Sequence, residues 1–390
     1  MVVIGAGAIG SYVAYKLAEK GYGVAVLEKK EKVGEQICCT GIIGRECVRS
    51  FAIEDDVILR QVNSAQLYSP SGKSIRLWRR ETQAYILDRA AFDRSLAERA
   101  RNKAVDYILN STVNDIEVGD NRVKIGAVSH KRRLKLEARA AVIATGFGSR
   151  LTESLGLGRI GDFVVGAQAE VETRGVNDIE VYFGREIAPG FFGWLAPTIT
   201  GRALVGLLSR HSPGHYLRRL LSSLSAQGKI ASAGVDFGQG GIPLKPLSRT
   251  YGERLVVIGD AAGQVKPTSG GGIYYGLLCA DIAANTLYRA LETDTLSAMG
   301  LADYEREWKK KLGRELRVGY WARKLYERLS DRQVERVFDI MKSDGIDKAL
   351  AETEGLSFDW HGEVMLRMMG YGALSRVMRV MKLPINLTRG

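Results

Sequence analysis

The sequence predicts an α/β protein with a discontinuous Rossmann-like domain, a second domain of antiparallel sheet and a helical C-terminal region. Three observations predict it. The chain opens on an apolar run that turns at glycines, enters an amphipathic stretch and returns to an apolar run, "MVVIGAGAIGSYVAYKLAEKGYGVAVLEKK". A later apolar run from Arg254 ends in "GDAAGQVKPTSGGGI" and again leads into an apolar helical stretch. Between them, runs such as "DFVVGAQAEVET" and "DIEVYFG" alternate every second residue between turn signals. That period of two belongs to half-buried antiparallel strands.

The first element pair is a strand followed by a helix. Gly5, Gly7 and Gly10 are spaced G-x-G-x-x-G. The helix "SYVAYKLAEKG" carries Val13, Ala14, Leu17 and Ala18 on one side, and "YGVAVLE" returns as a strand ending in Glu28. This context makes the glycines a dinucleotide turn. Gly5 allows the tight bend, Gly7 lets a pyrophosphate approach the helix start, and Gly10 lets helix and strand pack closely. Glu28, at the expected distance after Gly10, accepts a hydrogen bond from a ribose hydroxyl. An acid there favours an unphosphorylated ribose, as in NAD or FAD.

The second glycine segment separates these two. An ordinary nicotinamide dehydrogenase has no use for it, whereas extended FAD has a ribityl chain and a flavin ring far from its adenine. Asp260 is placed for the ribityl hydroxyls. Gly270, Gly271 and Gly272 bring the start of the helix "IYYGLLCADIAANTLYRAL" towards the flavin, where backbone N–H groups stabilise negative charge. Pro267 holds the loop beside the ring. The alternative is a glycine-rich turn used only for packing. Two further elements lie between the glycine segments. "YILDRAAFDRSLAERARNK" is a helix opening on Arg89 and Asp93, and "AVIATGFGSRL" is a buried strand ending in a Gly-x-Gly turn.

These segments, with "KVGEQICCTGI" and "PGFFGWLAP", resemble the aromatic-hydroxylase-like FAD proteins and, within them, the geranylgeranyl reductase family. The likeness runs from Met1 to about Arg336. It implies FAD contacts at Gly10, Glu28, Cys39, Thr40, Ile42, Arg89, Val113, Asp260, Gly272 and Ile273, beside Gly5 and Gly7. It also implies that the antiparallel sheet covers the flavin and lines a substrate cavity with Phe191, Phe192, Trp194 and Pro197. The chain departs from the family pattern in two places. Thr40 follows Cys39 where a glycine is usual. In the Y-x-W-x-F-P motif, Phe192 and Ala196 replace the tyrosine and the phenylalanine. Losing the phenol removes a polar tip, and Ala196 opens space.

On this reading residues 1–65, 85–155 and 250–300 form the FAD-binding domain. Residues 66–84 and 156–249 form the substrate domain, and 301–390 the helical region. The implied activity is FAD-dependent saturation of isoprenoid C=C bonds in a polyprenyl, geranylgeranyl-type lipid. The rivals are an aromatic monooxygenase of the same fold and a quinone-linked flavoprotein. His130, His211, His215 and His361 stand in charged or loop-like contexts, and no nucleophile–base set is legible, so the hard chemistry belongs to the cofactor. Cys39 is the candidate catalytic thiol, positioning the flavin or donating a proton; a small buried residue without a chemical role is the other reading. Cys38 takes its place if the register shifts by one.

Composition bounds the rest. The chain has 390 residues, 45% hydrophobic and 26% charged, enough for large cores. Its four cysteines form no C-x-x-C pair, so neither zinc nor iron–sulfur ligation is expected, and a reducing cytoplasm fits. The net charge of +12 is dispersed and accompanies no nucleic-acid motif. The expected electron donor is external, namely ferredoxin, a deazaflavin or NAD(P)H; no second dinucleotide motif is present, so stable NAD(P)H binding is not indicated. "GEVMLRMMGYGALSRVMRVMKLPINL" holds five of the eight methionines among arginines. It reads either as a peripheral contact with the inner membrane face or as a helix packed in the core or across a dimer interface.

Overall fold

The computed structural model describes residues 1–343, 345 and 357–360. The chain divides into two compact units. One comprises 1–37, 88–163 and 241–316, the other 38–87, 164–240 and 317–390. The methionine-rich stretch and His361 lie outside the described residues.

In the first unit a six-stranded sheet runs in the order Tyr251–Gly252, Leu255–Val257, Ala141–Ile143, Val2–Ile4, Ala25–Leu27, Asp106–Ile108. Every pairing but the first is parallel. The four inner strands, Leu255–Val257, Ala141–Ile143, Val2–Ile4 and Ala25–Leu27, read as continuous apolar runs because both faces are covered. A three-stranded antiparallel sheet, Ser111–Val118, Val123–Ser129 and Arg132–Ala138, closes one face through Ile116, Val123 and Ile125, which pack with Ile4, Leu27 and Ile143. Helix Ala8–Glu19 lies against helices Arg89–Arg101 and Ile273–Glu292.

The second unit is built on a seven-stranded sheet in the order Gly238–Pro243, Phe163–Glu172, Arg202–Ser209, Phe192–Pro197, Ile179–Phe183, Ser64–Tyr68, Ser74–Trp78. From Phe163–Glu172 to Ser74–Trp78 the pairings are antiparallel, apart from that of Ile179–Phe183 with Ser64–Tyr68, which is parallel. A three-stranded sheet of Ile42–Gly44, Ala84–Leu87 and Ile58–Val62 packs on one face, where Val62, Ala84 and Ile86 meet Ile179, Ala196 and Trp194. The other face takes helix Pro213–Ala226, whose Leu220 approaches Gly193.

The boundaries differ from those expected. Residues 38–65 fall in the second unit because strands Ile42–Gly44 and Ile58–Val62 pair only with Ala84–Leu87, whose apolar side packs on the seven-stranded sheet. Residues 241–249 fall in the first, where Leu244 N–H bonds Asp162 O at 2.9 Å and Leu247 enters the core. The helical region from 301 is not a separate unit. Helix Ala298–Arg328 contributes its first part to one unit and its last part to the other, and helix Asp331–Ser343 packs Val334 and Phe338 on Ile75. Among the described residues no helix is long and apolar enough to cross a membrane.

Candidate active site

Parallel pairing brings three chain ends of the first unit together, at Gly5, Glu28 and Ala144. Gly5 has φ +107°, its N–H donates to Leu27 O at 2.8 Å, and a Cβ there would strike the Ala144 carbonyl. A Cβ on Gly10 would strike the Gly5 carbonyl, so the helix packs directly on the turn. Gly7 is different. It is exposed at φ −65°, and a Cβ would meet only Asp93 Oδ2 at 4.0 Å. Among the described residues nothing requires a glycine there, and the open space over the helix start is the kind of place a ligand anion occupies.

The carboxylate of Glu28 is buried beside that turn. One oxygen accepts from Ala6 N–H at 2.8 Å and the other from Lys30 N–H at 3.0 Å. The remaining lone pairs suit ribose hydroxyls. Thr145 Oγ1, next to Gly5, is buried without a hydrogen-bond partner among the described residues. Arg89 pairs with Asp93 at 2.7 Å, and Asp93 also takes the Ala8 N–H. Burial raises the Asp93 carboxyl, while Arg89 and Lys30 pull it back.

Strand Leu255–Val257 delivers the second glycine segment to the same sheet edge. Gly259, at φ +67°, donates its N–H to Gln264 Oε1 at 2.8 Å. Gln264 Nε2 donates to Tyr304 OH, and Tyr304 OH to Val257 O, each at 2.8 Å and buried. This chain locks the turn that presents Asp260. Burial pushes the Asp260 carboxyl up to about 6, opposed by the charge of Arg89. A Cβ on Gly272 would lie 2.6 Å from Asp260 Oδ1, which places the start of helix Ile273–Glu292 against the carboxylate. A cavity of about 150 Å³ opens beside Asp260, between Phe147, Arg150 and Arg159.

The first unit thus gathers Gly5, Gly7, Gly10, Glu28, Arg89, Asp260, Gly272 and Ile273. These residues fit an extended dinucleotide: a cradle at Gly7, an orphaned hydroxyl at Thr145, and a carboxylate near each end. Val113 is in this unit too, on strand Ser111–Val118 against the core between the two sheets.

The second unit holds the other predicted residues. Cys38 and Cys39 are both half-buried. Cys38 packs beside Gly238 and Gly240, and burial pushes its thiol up to about 11. Thr40 Oγ1 bonds Gln168 Oε1 at 2.6 Å, and Ile42 pairs with Ile86. Phe192 and Trp194 share one face, ring centroids 6.3 Å apart, and the Trp194 Nε1 atom is buried without a partner among the described residues. Pro197 falls on the opposite face by strand alternation. Phe191 precedes the strand, is 1% exposed, and lies beneath the Arg323 guanidinium, its carbonyl accepting from Tyr326 OH at 2.9 Å. Of the four predicted wall residues, the structure therefore joins two.

Comparison with known proteins gives the family of the chain. The pyridine nucleotide-disulphide oxidoreductase family model matches residues 1–176. Digeranylgeranylglycerophospholipid reductase 2 of Methanopyrus kandleri is 30% identical over 364 residues, covering 89% of this chain and 91% of that protein. The chain belongs to the digeranylgeranylglycerophospholipid reductase family. The reductase of Methanocaldococcus jannaschii is similar at 29% identity over 361 residues, covering 89% and 92%. Among solved structures, a geranylgeranyl bacteriochlorophyll reductase-like protein of Thermoplasma acidophilum superposes with a TM-score of 0.82. It is 23% identical, with 95% of this chain and 98% of that one covered. The p-nitrophenol 4-monooxygenase of Pseudomonas putida shares the fold at a TM-score of 0.64 and 18% identity, with 95% and 97% covered. As a member of the reductase family, the chain is an FAD-dependent oxidoreductase.

Three residues of this arrangement escape sequence reasoning. Gln264 lies inside the second glycine segment and was within reach of it. Tyr304 and Gln168 follow no motif, and only the fold brings them to Gly259 and Thr40.

Proposed function

We propose that this reductase saturates C=C bonds in the polyprenyl chains of a geranylgeranyl-type lipid. The observation that carries the reading is the 30% identity to a named digeranylgeranylglycerophospholipid reductase along nine-tenths of both chains. Reduced FAD, when bound, supplies a hydride, and the alkene takes a proton at its other carbon.

The protein's part is to hold the cofactor, exclude water and deliver the proton. Glu28 would hold the adenosine ribose, Arg89 and the Gly7 turn the pyrophosphate, and Asp260 the ribityl hydroxyls. Backbone N–H groups from Gly272 and Ile273 would face the flavin. By the family resemblance Cys39, Thr40 and Ile42 would contact the ring, and Cys39 would position it or give the proton to substrate. Phe192 and Trp194 form an apolar wall. An isolated alkene is a poor hydride acceptor, so a dry wall beside a proton donor is what the reaction needs. Electrons come from an external donor, namely ferredoxin, a deazaflavin or NAD(P)H, and the lipid is collected by peripheral contact with the inner membrane face.

The test is anaerobic photoreduction of the FAD-loaded protein followed by a geranylgeranyl lipid. Reoxidation by the alkene, with a saturated product by mass spectrometry, supports the reading. Reoxidation only by O₂ with an aromatic substrate would make the chain a hydroxylase instead. Cys39→Ser should retain FAD and slow alkene reduction; an unchanged rate and flavin spectrum would make the thiol structural.

A further inference from the structure

A segment far from the glycine motifs grips the strand that follows the cysteines. Ser357–Trp360 forms its own turn, in which Asp359 N–H bonds Ser357 Oγ at 3.1 Å and Trp360 N–H bonds Ser357 O at 3.1 Å. Asp359 is 0% exposed. One of its carboxylate oxygens accepts from Gly44 N–H at 3.0 Å and the other from Cys47 N–H at 3.3 Å. The Trp360 indole N–H donates to Glu46 Oε2 at 2.6 Å. A carboxylate removed from water must be held by donors, and its loss would strand buried N–H groups.

Gly44 carries the mark of this contact. Its φ is −88°, a conformation open to any residue. Yet a Cβ there would fall within 2.6 Å of Asp359 Cγ and both its oxygens, and would meet nothing else as close. The three atoms nearest to a side chain placed at Gly44 all belong to Asp359.

Gly44 ends the strand Ile42–Gly44, which follows directly on Cys38-Cys39-Thr40-Gly41. That loop is fixed by Thr40 on Gln168 and by Leu87 N–H on Gly41 O at 3.0 Å. Asp359 supplies the anchor at its far end. We infer that Asp359 is a positioning residue: it clamps the strand behind the cysteine loop and so sets the place and accessibility of Cys39. Its catalytic meaning rests on the proposed role of Cys39; the clamp itself does not.

The experiment is carbamidomethylation of the full-length FAD-loaded protein, read cysteine by cysteine by peptide mass spectrometry. Cys279 is fully buried in the other unit and reports global unfolding. Asp359→Ala and Gly44→Ala should each speed Cys39 alkylation by about tenfold, the equivalent of one lost charge-assisted hydrogen bond, with Cys279 unchanged. Asp359→Asn, which keeps one acceptor, should fall between. The double variant should react no faster than either single one, because both remove the same contact. Unchanged Cys39 rates, rates rising only together with Cys279, or additive effects of the two substitutions would overturn the proposal. The readout is a thiol reaction, so it succeeds or fails independently of alkene reduction.

Discussion

On the proposed reading, Asp260 would couple the burial of its carboxyl to binding. Burial pushes its carboxyl up to about 6, against about 4 for a free aspartate. An ionised carboxylate is the better acceptor for ribityl hydroxyls, so FAD should bind the deprotonated form. Affinity should therefore be full above pH 6 and fall as pH drops through that value. Asp260→Asn should flatten the profile between pH 5 and 8 in a fluorescence titration of FAD. Asp260→Ala should weaken binding by roughly 1.5–3 kcal/mol at pH 7.5. The apoprotein should respond in the opposite sense. A folded pKa above the unfolded one destabilises the fold as pH rises from about 4 to 6, so Asp260→Asn should raise the apoprotein Tm at pH 8 and leave it unchanged near pH 4. A variant with wild-type affinity at all pH values would show that Asp260 does not face the cofactor.

At the scale of elements, the site depends on strand ends and helix starts held at short range. The turn Gly259–Ala262 is held by the relay from Gly259 through Gln264 and Tyr304 to Val257. Tyr304→Phe would leave the Gln264 amide and the Val257 carbonyl without their shared hydroxyl. The expected cost is about 1–3 kcal/mol in urea unfolding, with weaker FAD binding, because the turn carrying Asp260 loosens. Wild-type stability would mean that the relay does not brace the turn. Gly10→Ala acts through packing instead. Its Cβ would drive helix Ala8–Glu19 off the Gly5 carbonyl, and overpacking of this kind costs about 1–3 kcal/mol. Circular dichroism melts of the apoprotein check it.

For the whole molecule, two properties follow from how the cofactor and the lipid are to be handled. No cysteine or histidine stands in a recognised flavin-attachment context, so acid or guanidinium should release all FAD into a filtrate; flavin retained on the denatured chain would contradict this. Membrane contact through the methionine-rich stretch can be tested by co-sedimentation with anionic liposomes. The truncation belongs after Trp360, so that the Asp359 contact with Gly44 and Cys47 is kept. Full-length protein should sediment with vesicles at low salt and release as salt rises, and the truncated chain should not. Equal binding by both would assign the contact to another surface.

The sequence by itself determined the cofactor end of this protein. Spacing alone carried the Gly5, Gly7 and Gly10 turn, Glu28 at the end of the next strand, and the Gly259–Asp260 pair before its helix. Each of these groups lies within a single short strand–turn–helix–strand stretch, so local order suffices to make it legible. The tertiary structure alone decided the rest. It set the boundary at Ile37 rather than near residue 65, because cross-strand pairing with Ala84–Leu87 is non-local. It separated Pro197 from Phe192 and Trp194 and buried Phe191 under Arg323, since alternation and packing, not proximity in the chain, choose the face. It also brought Asp359 to Gly44 and Tyr304 to Gln264 across stretches with no shared pattern. Buried hydrogen bonds of that kind are satisfied by whichever group the fold delivers, and no spacing along the chain encodes the pairing.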